Sequence, residues 1–260
     1  MGETVYLGID LGTSRTSVTS STGVRTTVWS YVGYPEDHVA RKMLGGRDVI
    51  YGEEAVENRL SVKLVRPLAA GVIDTQGAQA DLNKKAVKDL IEHVISLAQV
   101  PAGNTIYAVI GAPAEASVDS KAEILDAASN FVDSLIVCSE PFAVAYGLDF
   151  LRDTLVIDIG AGTTDLCRVH GTMPKAEDQR THNVAGDAID HTLAERIRQK
   201  HPEAQFSIHA IRQFKERHAS VTRNMDVAEV TMTVAGKPQQ FDITQEMYDA
   251  CYTIVPPTVA

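Results

Sequence analysis

Residues 5–14, VYLGIDLGTS, and residues 154–165, TLVIDIGAGTTD, decide the fold because they repeat one pattern. Each stretch begins with an apolar strand, continues with an aspartate, Asp10 or Asp158, and then enters a turn of glycines and small hydroxylated residues. Glycine lets the backbone turn sharply and approach a ligand closely, and successive free N–H groups in such a turn form an anion-binding concavity. The pattern therefore predicts two phosphate-binding hairpins that clamp one nucleotide polyphosphate.

The aspartate of each hairpin has a separate predicted task. A carboxylate does not bind phosphate directly, because the two negative charges repel each other. Mg²⁺ keeps several of its waters and is commonly held by one or two carboxylates together with substrate phosphates. We therefore predict that Asp10 and Asp158 are metal ligands, through water, and catalytic residues.

The phosphate itself is predicted to contact the backbone N–H groups and hydroxyls of the two turns. Threonine also favours strand edges for structural reasons alone, but the repetition of the whole pattern favours phosphate binding. The residues predicted to bind the cofactor in the hairpins are Gly12, Thr13, Ser14, Gly160, Gly162, Thr163 and Thr164.

The bulk composition is that of an ordinary globular protein, with 260 residues, 44% of them hydrophobic and 22% charged. A net charge of −10 argues against nucleic acid as the main partner and against electrostatic adhesion to anionic lipid. The sequence contains no apolar run of about 18 residues and no signal-peptide pattern. We therefore expect a cytoplasmic protein without direct membrane insertion.

Strands alternating with helices predict an α/β fold with a largely buried, mixed sheet. The first three strands are predicted to form a meander, and the turn-rich residues 31–77 an inserted small subdomain with one short helix, 52–59. Asp81 is predicted to cap the longest amphipathic helix. Thr244 is predicted to cap the last helix, which stops at Pro256-Pro257.

Glu140 follows a predicted strand and precedes Pro141, a residue that favours a helix start; the helix is predicted over 142–150. Phosphoryl transfer to water requires a group that orients the attacking water, and the Glu140 carboxylate is our candidate. Complementing the positive end of the helix dipole is a common structural use of glutamate at this position. From the residue alone, both interpretations stay open.

The paired hairpins, with Ser139-Glu140-Pro141-Phe142 between them, resemble those of the actin, Hsp70 and sugar-kinase ATPase superfamily. Within it, the chain is similar over nearly its whole length to prokaryotic actin-like ATPases, and most of all to their magnetosome-associated group. The segments that carry this similarity include residues 32–35 (VGYP), 108–114 (AVIGAPA) and 171–174 (GTMP).

The resemblance implies an actin/Hsp70-like ATPase fold built from two duplicated, ribonuclease-H-like domains. Domain I is expected at 1–152, with its small subdomain at about 31–77. Domain II is expected at 153–260, with a small subdomain at about 186–243. Family members continue with a glycine-rich adenosine loop and a second interdomain helix, so a sequence ending at residue 260 predicts an incomplete second domain.

The resemblance also implies a function, namely binding of ATP with Mg²⁺ in a cleft and head-to-tail assembly into filaments. It implies that Glu140 orients the water, that Gly186 and Asp187 lie near the phosphates and sugar, and that Lys215 and Glu216 frame the adenosine. An ordinary exposed Lys-Glu pair is the alternative for the last two. ATP hydrolysis is expected provided that this chain retains activity.

Several interpretations stay open from the sequence. The first is a filament-forming cytoskeletal ATPase whose partners are copies of itself and magnetosome-associated proteins, located along the magnetosome chain. The second is a non-enzymatic, truncated paralogue that co-assembles with or caps filaments of a full-length actin-like homologue. The third is an Hsp70-like or sugar-kinase ATPase, for which the sequence shows neither a substrate-binding domain nor a recognisable sugar-binding cluster.

Overall fold

The computed structural model describes residues 2–75, 77–223 and 226–259. The chain divides into two compact units, the first formed by Met1–Ala161 with Asp165–Thr181 and the second by Gly162–Thr164 with His182–Ala260. The domain boundary expected between residues 152 and 153 refers to the two duplicated domains implied by the family resemblance, not to these two units, and it stays a prediction. Within the described residues, no helix has the length and apolar character needed to cross a bilayer.

The first unit holds most of the strands, and only Thr164 and His182, at the ends of two of them, fall in the second unit. Its strands are β1 (Thr4–Leu11), β2 (Arg15–Ser20), β3 (Arg25–Trp29), β4 (Val32–Pro35), β5 (Ile50–Tyr51), β6 (Val62–Val65), β7 (Leu68–Ala69), β8 (Val72–Ile73), β9 (Thr105–Ala112), β10 (Ser134–Ser139), β11 (Thr154–Ile159), β12 (Thr164–Val169) and β13 (Gln179–His182). Its helices are α1 (His38–Met43), α2 (Gly52–Glu57), α3 (Ala80–Leu97), α4 (Val118–Ala128) and α5 (Glu140–Gly147).

The main sheet has the strand order β10-β9-β1-β2-β3. β1, β2 and β3 pair in antiparallel fashion, whereas β9 and β10 run parallel to β1. The predicted meander and mixed sheet are therefore confirmed. Side chains alternate along β1, so that Val5, Leu7, Ile9 and Leu11 are buried in a cluster that also contains residues of α3 and α4.

The opposite face of this sheet is more open than predicted. Tyr6, Tyr107, Val109 and Ile136 are exposed on β1, β9 and β10. The prediction of a largely buried sheet is wrong for this face, because α3 and α4 contribute to the core on one side only. The apolar composition of a strand does not indicate how many of its faces are covered.

The small subdomain contains one helix more than predicted. Its sheet has the order β5-β4-β6, and α2 lies inside the predicted range 52–59. The additional helix, α1, is capped by Asp37, whose carboxylate accepts a 2.7 Å hydrogen bond from the N–H of Ala40. A capping aspartate is a signal that the sequence does carry, but six residues are too few to show helical periodicity.

Several predicted helix ends are wrong. Asp81 lies inside α3, which is preceded by Gln79 without a side-chain cap, and α5 ends at Gly147 rather than at residue 150. Thr244 is not the cap but the first residue of α8 (Thr244–Tyr252), and the hydroxyl of Thr244 donates to Asp242. A further short helix, α9 (Val255–Val259), contains Pro256-Pro257 in its first turn, where a missing N–H costs nothing.

The second unit contains α6 (Gly186–Lys200), α7 (Ile208–His218) and the hairpin β14 (Glu229–Val234) and β15 (Lys237–Asp242), followed by α8 and α9. The hairpin turns through two residues, Ala235 and Gly236, which both have positive φ as this type of turn requires. Its core is apolar and includes Leu193, Ile197, Ile211, Ile243 and Met247.

The two faces of β9 provide a test of this architecture. Ile110 is fully buried, whereas its neighbour Val109 is 40% exposed. We expect Ile110→Ala to lower the free energy of unfolding by about 2–5 kcal/mol and Val109→Ala to lower it by less than about 1 kcal/mol. Urea unfolding followed by the fluorescence of Trp29, the single tryptophan, measures both in the first unit. Equal losses would contradict the assigned faces.

Candidate functional site

Three predicted catalytic carboxylates converge in the first unit. In the main sheet Asp10 lies opposite Gly111, and Gly111 opposite Cys138, so the carboxyl ends of β1, β9 and β10 meet at one edge. Glu140 begins α5 directly after β10, and Asp158 lies near the end of β11. All of these residues line one cavity of about 280 Å³. Its wall is completed by apolar and small residues, among them Gly8, Val109, Ala143 and Val144.

Glu140 is the most strongly perturbed of these carboxylates. Burial, and then the negative charges of Asp10, Asp165 and Asp158, raise its pKa to about 8. Its Oε1 atom is buried and has no hydrogen-bond partner among the described residues. A Cβ on Gly111 would lie 2.9 Å from Cγ of Glu140, so a glycine is required beneath this side chain. The carboxyl group therefore has a lone pair available for a ligand or a water.

Asp10 and Asp158 repel each other as well as Glu140. The pKa of Asp10 is raised by burial and by the charge of Asp158, and the pKa of Asp158 is raised by burial and by the charge of Asp165. A cation between these groups would relieve this repulsion. The described residues form no cage of three or more metal-ligating side chains, so these carboxylates fit a hydrated Mg²⁺ that has few protein ligands.

The backbone carbonyls of the first hairpin accept hydrogen bonds from Ser30 and Arg66. The hydroxyl of Ser30 donates to the carbonyl of Gly12 at 2.6 Å, and the N–H of Ser30 donates to the carbonyl of Ser14 at 2.9 Å. Nε of Arg66 donates to the carbonyl of Thr13 at 3.0 Å. The N–H and C=O of a trans peptide point in opposite directions. The N–H groups of Thr13 and Ser14 therefore point away from these partners, as a phosphate cradle requires.

Two of the hairpin hydroxyls have structural partners. The hydroxyl of Thr13 accepts a 2.7 Å hydrogen bond from the N–H of Gly71. The hydroxyl of Thr164 donates to the carbonyl of Val184 at 2.9 Å, so its single proton is committed to the second unit's own backbone. Their predicted side-chain contacts with phosphate stay predictions. Because a phosphate oxygen accepts hydrogen bonds, the hydroxyl of Thr164 would have to give up its bond to Val184 in order to donate to it. Gly160 belongs to the first unit, and Gly162 and Thr163 to the second.

Three of the predicted site residues of the second unit, Gly186, Asp187 and Lys215, meet at the N-terminus of α6. Nζ of Lys215 donates to the carbonyl of Gly186 at 2.8 Å and forms an ion pair with Asp190, also at 2.8 Å. Arg212 pairs with Asp187 and Asp190 at 3.2 Å each. The Asp190 carboxylate is 1% exposed, so it is a buried charge that is compensated by two cations.

Lys215 is therefore not an ordinary exposed lysine, since it ties α7 to the first turn of α6. Its neighbour Glu216 is exposed. The roles of both residues toward an adenosine stay predictions. Asp190 and Arg212 could not be found from the sequence, because a buried ion pair between two helices leaves no local pattern. The same is true in the first unit of Ser30, of Arg66 and of Asp165, which is buried at the start of β12.

Comparison with known proteins gives the family. Residues 4–251 match the family model described as MreB/Mbl protein. The chain therefore belongs to the MreB/Mbl family of actin-like proteins, and the predicted α/β actin-like fold is confirmed.

The similarity to one member, MamK, is particularly high. MamK of Paramagnetospirillum magneticum is 40% identical over 252 residues, which is 97% of this chain and 72% of that protein. The structure described as a MamK double helical filament superposes with a TM-score of 0.93 at 40% identity, over 98% of this chain and 77% of that one. A non-polymerising MamK mutant bound to AMPPNP gives 0.68 at 39% identity, over 99% and 78%. The resemblance inferred from the motifs is thus confirmed.

The raised pKa of Glu140 predicts a pH-dependent stability. The folded protein keeps a proton on Glu140 that the unfolded chain loses above about pH 4.5, so stability falls between pH 4.5 and about 8. Glu140→Gln removes this loss. We expect the free energy of unfolding of the variant, relative to that of the wild type, to increase as the pH rises through this window, by about 1.4 kcal/mol per unit of pKa difference.

Urea unfolding at a series of pH values, followed by Trp29 fluorescence, measures the difference. Glu57→Gln is the matched control, because Glu57 is exposed on α2. A difference between Glu140→Gln and the wild type that does not change with pH would contradict the assignment.

The buried pair in the second unit predicts a large local effect. Asp190→Ala leaves Lys215 and Arg212 without their buried partner, and removing one member of a buried ion pair typically costs about 3–5 kcal/mol. We expect a loss of hydrogen-exchange protection in α6 and α7. Glu195→Ala on the exposed side of α6 is the control. Equal protection in both variants would show that the pair contributes nothing.

Proposed function

We propose that the chain is an actin-like ATPase that binds ATP with Mg²⁺ and assembles with further copies of itself into filaments. The observation that carries this proposal is the convergence of Asp10, Glu140 and Asp158 around one cavity, at the edge where three parallel strands end. Carboxylates brought together in this way repel each other, and such an arrangement is characteristic of sites that bind cations or transfer protons.

In the proposed site each group has a distinct task. Asp10 and Asp158 hold hydrated Mg²⁺, which, when bound, neutralises the charge of the phosphates. Glu140 orients the attacking water and accepts its proton, and a pKa close to the operating pH suits that task. The N–H groups of the first hairpin bind phosphate, supported from behind by Ser30 and Arg66.

Further nucleotide contacts are proposed for the second phosphate hairpin, to which the first unit contributes Gly160 and the second unit Gly162, Thr163 and Thr164. The first turn of α6, with Gly186 and Asp187, offers N–H groups and the positive end of a helix dipole. Lys215 and Glu216 frame the adenosine, and the ion pairs of Lys215 and Arg212 fix α7 against that turn.

Self-assembly is supported by the filament formed by MamK, which shares the fold of this chain at 40% identity. This favours a filament subunit over a non-enzymatic capping protein. We further propose that the filament lies in the cytoplasm along a chain of magnetosomes and contacts magnetosome-associated proteins. The support for this role is the similarity to the magnetosome-associated group of prokaryotic actins.

Sedimentation with simultaneous phosphate release tests the proposal. We expect the purified chain to pellet with ATP and Mg²⁺ and to release phosphate, and EDTA to stop the release. Glu140→Ala should slow phosphate release by about 100-fold or more, because a positioned general base is worth 10²–10⁴-fold. Glu57→Ala is the control.

The outcomes separate the parts of the proposal. A wild-type chain that neither pellets nor releases phosphate would refute the filament ATPase. Release that continues undiminished in Glu140→Ala would leave the ATPase standing and remove Glu140 from its catalytic role.

A further inference from the structure

Asp165 is a buried acid that the proposed chemistry does not use. It lies in β12, directly after the second phosphate hairpin, and is 1% exposed. Its Oδ1 atom accepts two short hydrogen bonds, at 2.7 Å from the N–H of Ala114 and at 2.6 Å from the hydroxyl of Thr181. Ala114 follows β9, and Thr181 lies in β13. One carboxylate oxygen thus joins three separate segments of the first unit.

The segments at Ala114 and Thr181 are also bonded to each other. The N–H of Glu115 donates to the hydroxyl of Thr181 at 3.0 Å, and the N–H of Thr181 donates to Oε2 of Glu115 at 2.8 Å. Arg180 pairs with Glu115 at 3.5 Å. We call the set Asp165, Ala114, Glu115 and Thr181 the Asp165 interlock.

The interlock connects two sheets that share no strand. β9 belongs to the main sheet, whereas β12 and β13 belong to the sheet with the order β11-β12-β13. β9 carries Gly111, against which Glu140 packs. β11, the neighbour of β12, carries Asp158. The separation of Asp158 from Glu140 and Asp10 therefore depends on how these two sheets are fixed to each other.

The first hairpin is also connected, through Gly71, to the segment Pro113-Ala114 that follows β9. The N–H of Gly71 donates to the hydroxyl of Thr13. Gly71 also lies so close to the ring of Pro113 that a Cβ on it would collide with the proline. Pro113 immediately precedes Ala114, so a continuous path of contacts runs from Thr13 to Asp165 within the first unit.

We propose that Asp165 and Thr181 are positioning residues, which hold Asp158 at its working distance from Asp10 and Glu140 by hydrogen bonds across the two sheets. The inference rests on the proposed function, since the reaction it serves is ATP hydrolysis. What it requires of Asp165 is an acceptor at Oδ1, because both bonds are donated to that atom. The negative charge is not required.

This requirement makes Asp165→Asn and Asp165→Ala a decisive pair. The amide oxygen of asparagine accepts both hydrogen bonds but carries no charge, whereas alanine accepts neither. We expect Asp165→Asn to keep the kcat for phosphate release within about threefold of the wild type. We expect Asp165→Ala to lower kcat by about tenfold or more, because a displacement of about 1 Å at a reacting group costs up to 10²-fold.

Thr181 gives an independent pair. Thr181→Val keeps the shape of the side chain and removes the hydroxyl, so kcat should fall as in Asp165→Ala. Thr181→Ser keeps the hydroxyl, so its kcat should stay close to that of the wild type. The double variant Asp165→Ala with Thr181→Val should lose less than the product of the two single losses, because both substitutions remove the hydrogen bond between the Thr181 hydroxyl and Asp165. Thr231→Val, at an exposed position in β14, is the control for replacing a strand threonine.

Each rate is measured at the pH optimum of its variant, so that the charge of Asp165 acting on Glu140 does not enter the comparison. Circular dichroism and sedimentation of each variant establish that it is folded. If Asp165→Ala does not fold, the comparison of Thr181→Val with Thr181→Ser decides the inference, and if Thr181→Val does not fold, the comparison of Asp165→Ala with Asp165→Asn decides it.

The results separate this inference from the proposed function. Asp165→Asn as slow as Asp165→Ala would overturn the inference, because the charge would then be what matters. Unchanged kcat in Thr181→Val would overturn it as well. A wild-type chain that neither releases phosphate nor binds AMPPNP would refute the proposed function and the inference together.

Discussion

Electrostatic repulsion between buried carboxylates is the constraint on which the rest of the first unit depends. Asp10, Glu140 and Asp158 line one cavity, and each pKa is raised by burial and by the negative charge of another acid. Left to itself, such a cluster separates, because like charges in a partly buried site cost free energy. The surrounding structure therefore holds the backbone at each carboxylate from several directions, with strand pairing, with Ser30 behind the first hairpin and with Asp165 between the sheets.

Parallel strand pairing brings the carboxylates to one place. The carboxyl ends of parallel strands lie at the same edge of a sheet, so Asp10, near the end of β1, and Glu140, directly after β10, become neighbours although they are far apart in sequence. Gly111 on the intervening strand leaves the space that Glu140 fills. An acid at the end of an apolar strand is a local pattern, which is why the sequence could suggest Asp10, Glu140 and Asp158 as candidates. The strand pairing brings them to one cavity, and their roles stay predictions.

The residues that support the site could not be predicted, because their partners lie at long sequence separations. Ser30 reaches Gly12, Asp165 reaches Ala114, and Arg212 reaches Asp190 through tertiary contacts that leave no periodic pattern. The wrong helix ends have a different cause. Asp81 is a good capping residue, but the turn at Gly77–Gln79 leads directly into α3, which begins at Ala80. The capping propensity of Asp81 therefore did not determine where the helix begins.

The same repulsion couples the proposed ligand to the stability of the fold. Carboxyl groups whose pKa values are raised on folding make the protein less stable as the pH rises, because the unfolded chain ionises them more readily. A cation bound to Asp10 and Asp158 reverses the sign of that contribution, and any ligand that binds only the folded state adds its own binding free energy to stability. In the proposed function, the charges that destabilise the first unit are therefore those that bind the metal and its nucleotide. The hydrogen bonds of Ser30 and Asp165 then have a clear physical role, because they keep the carboxylates in place while the ligand is absent.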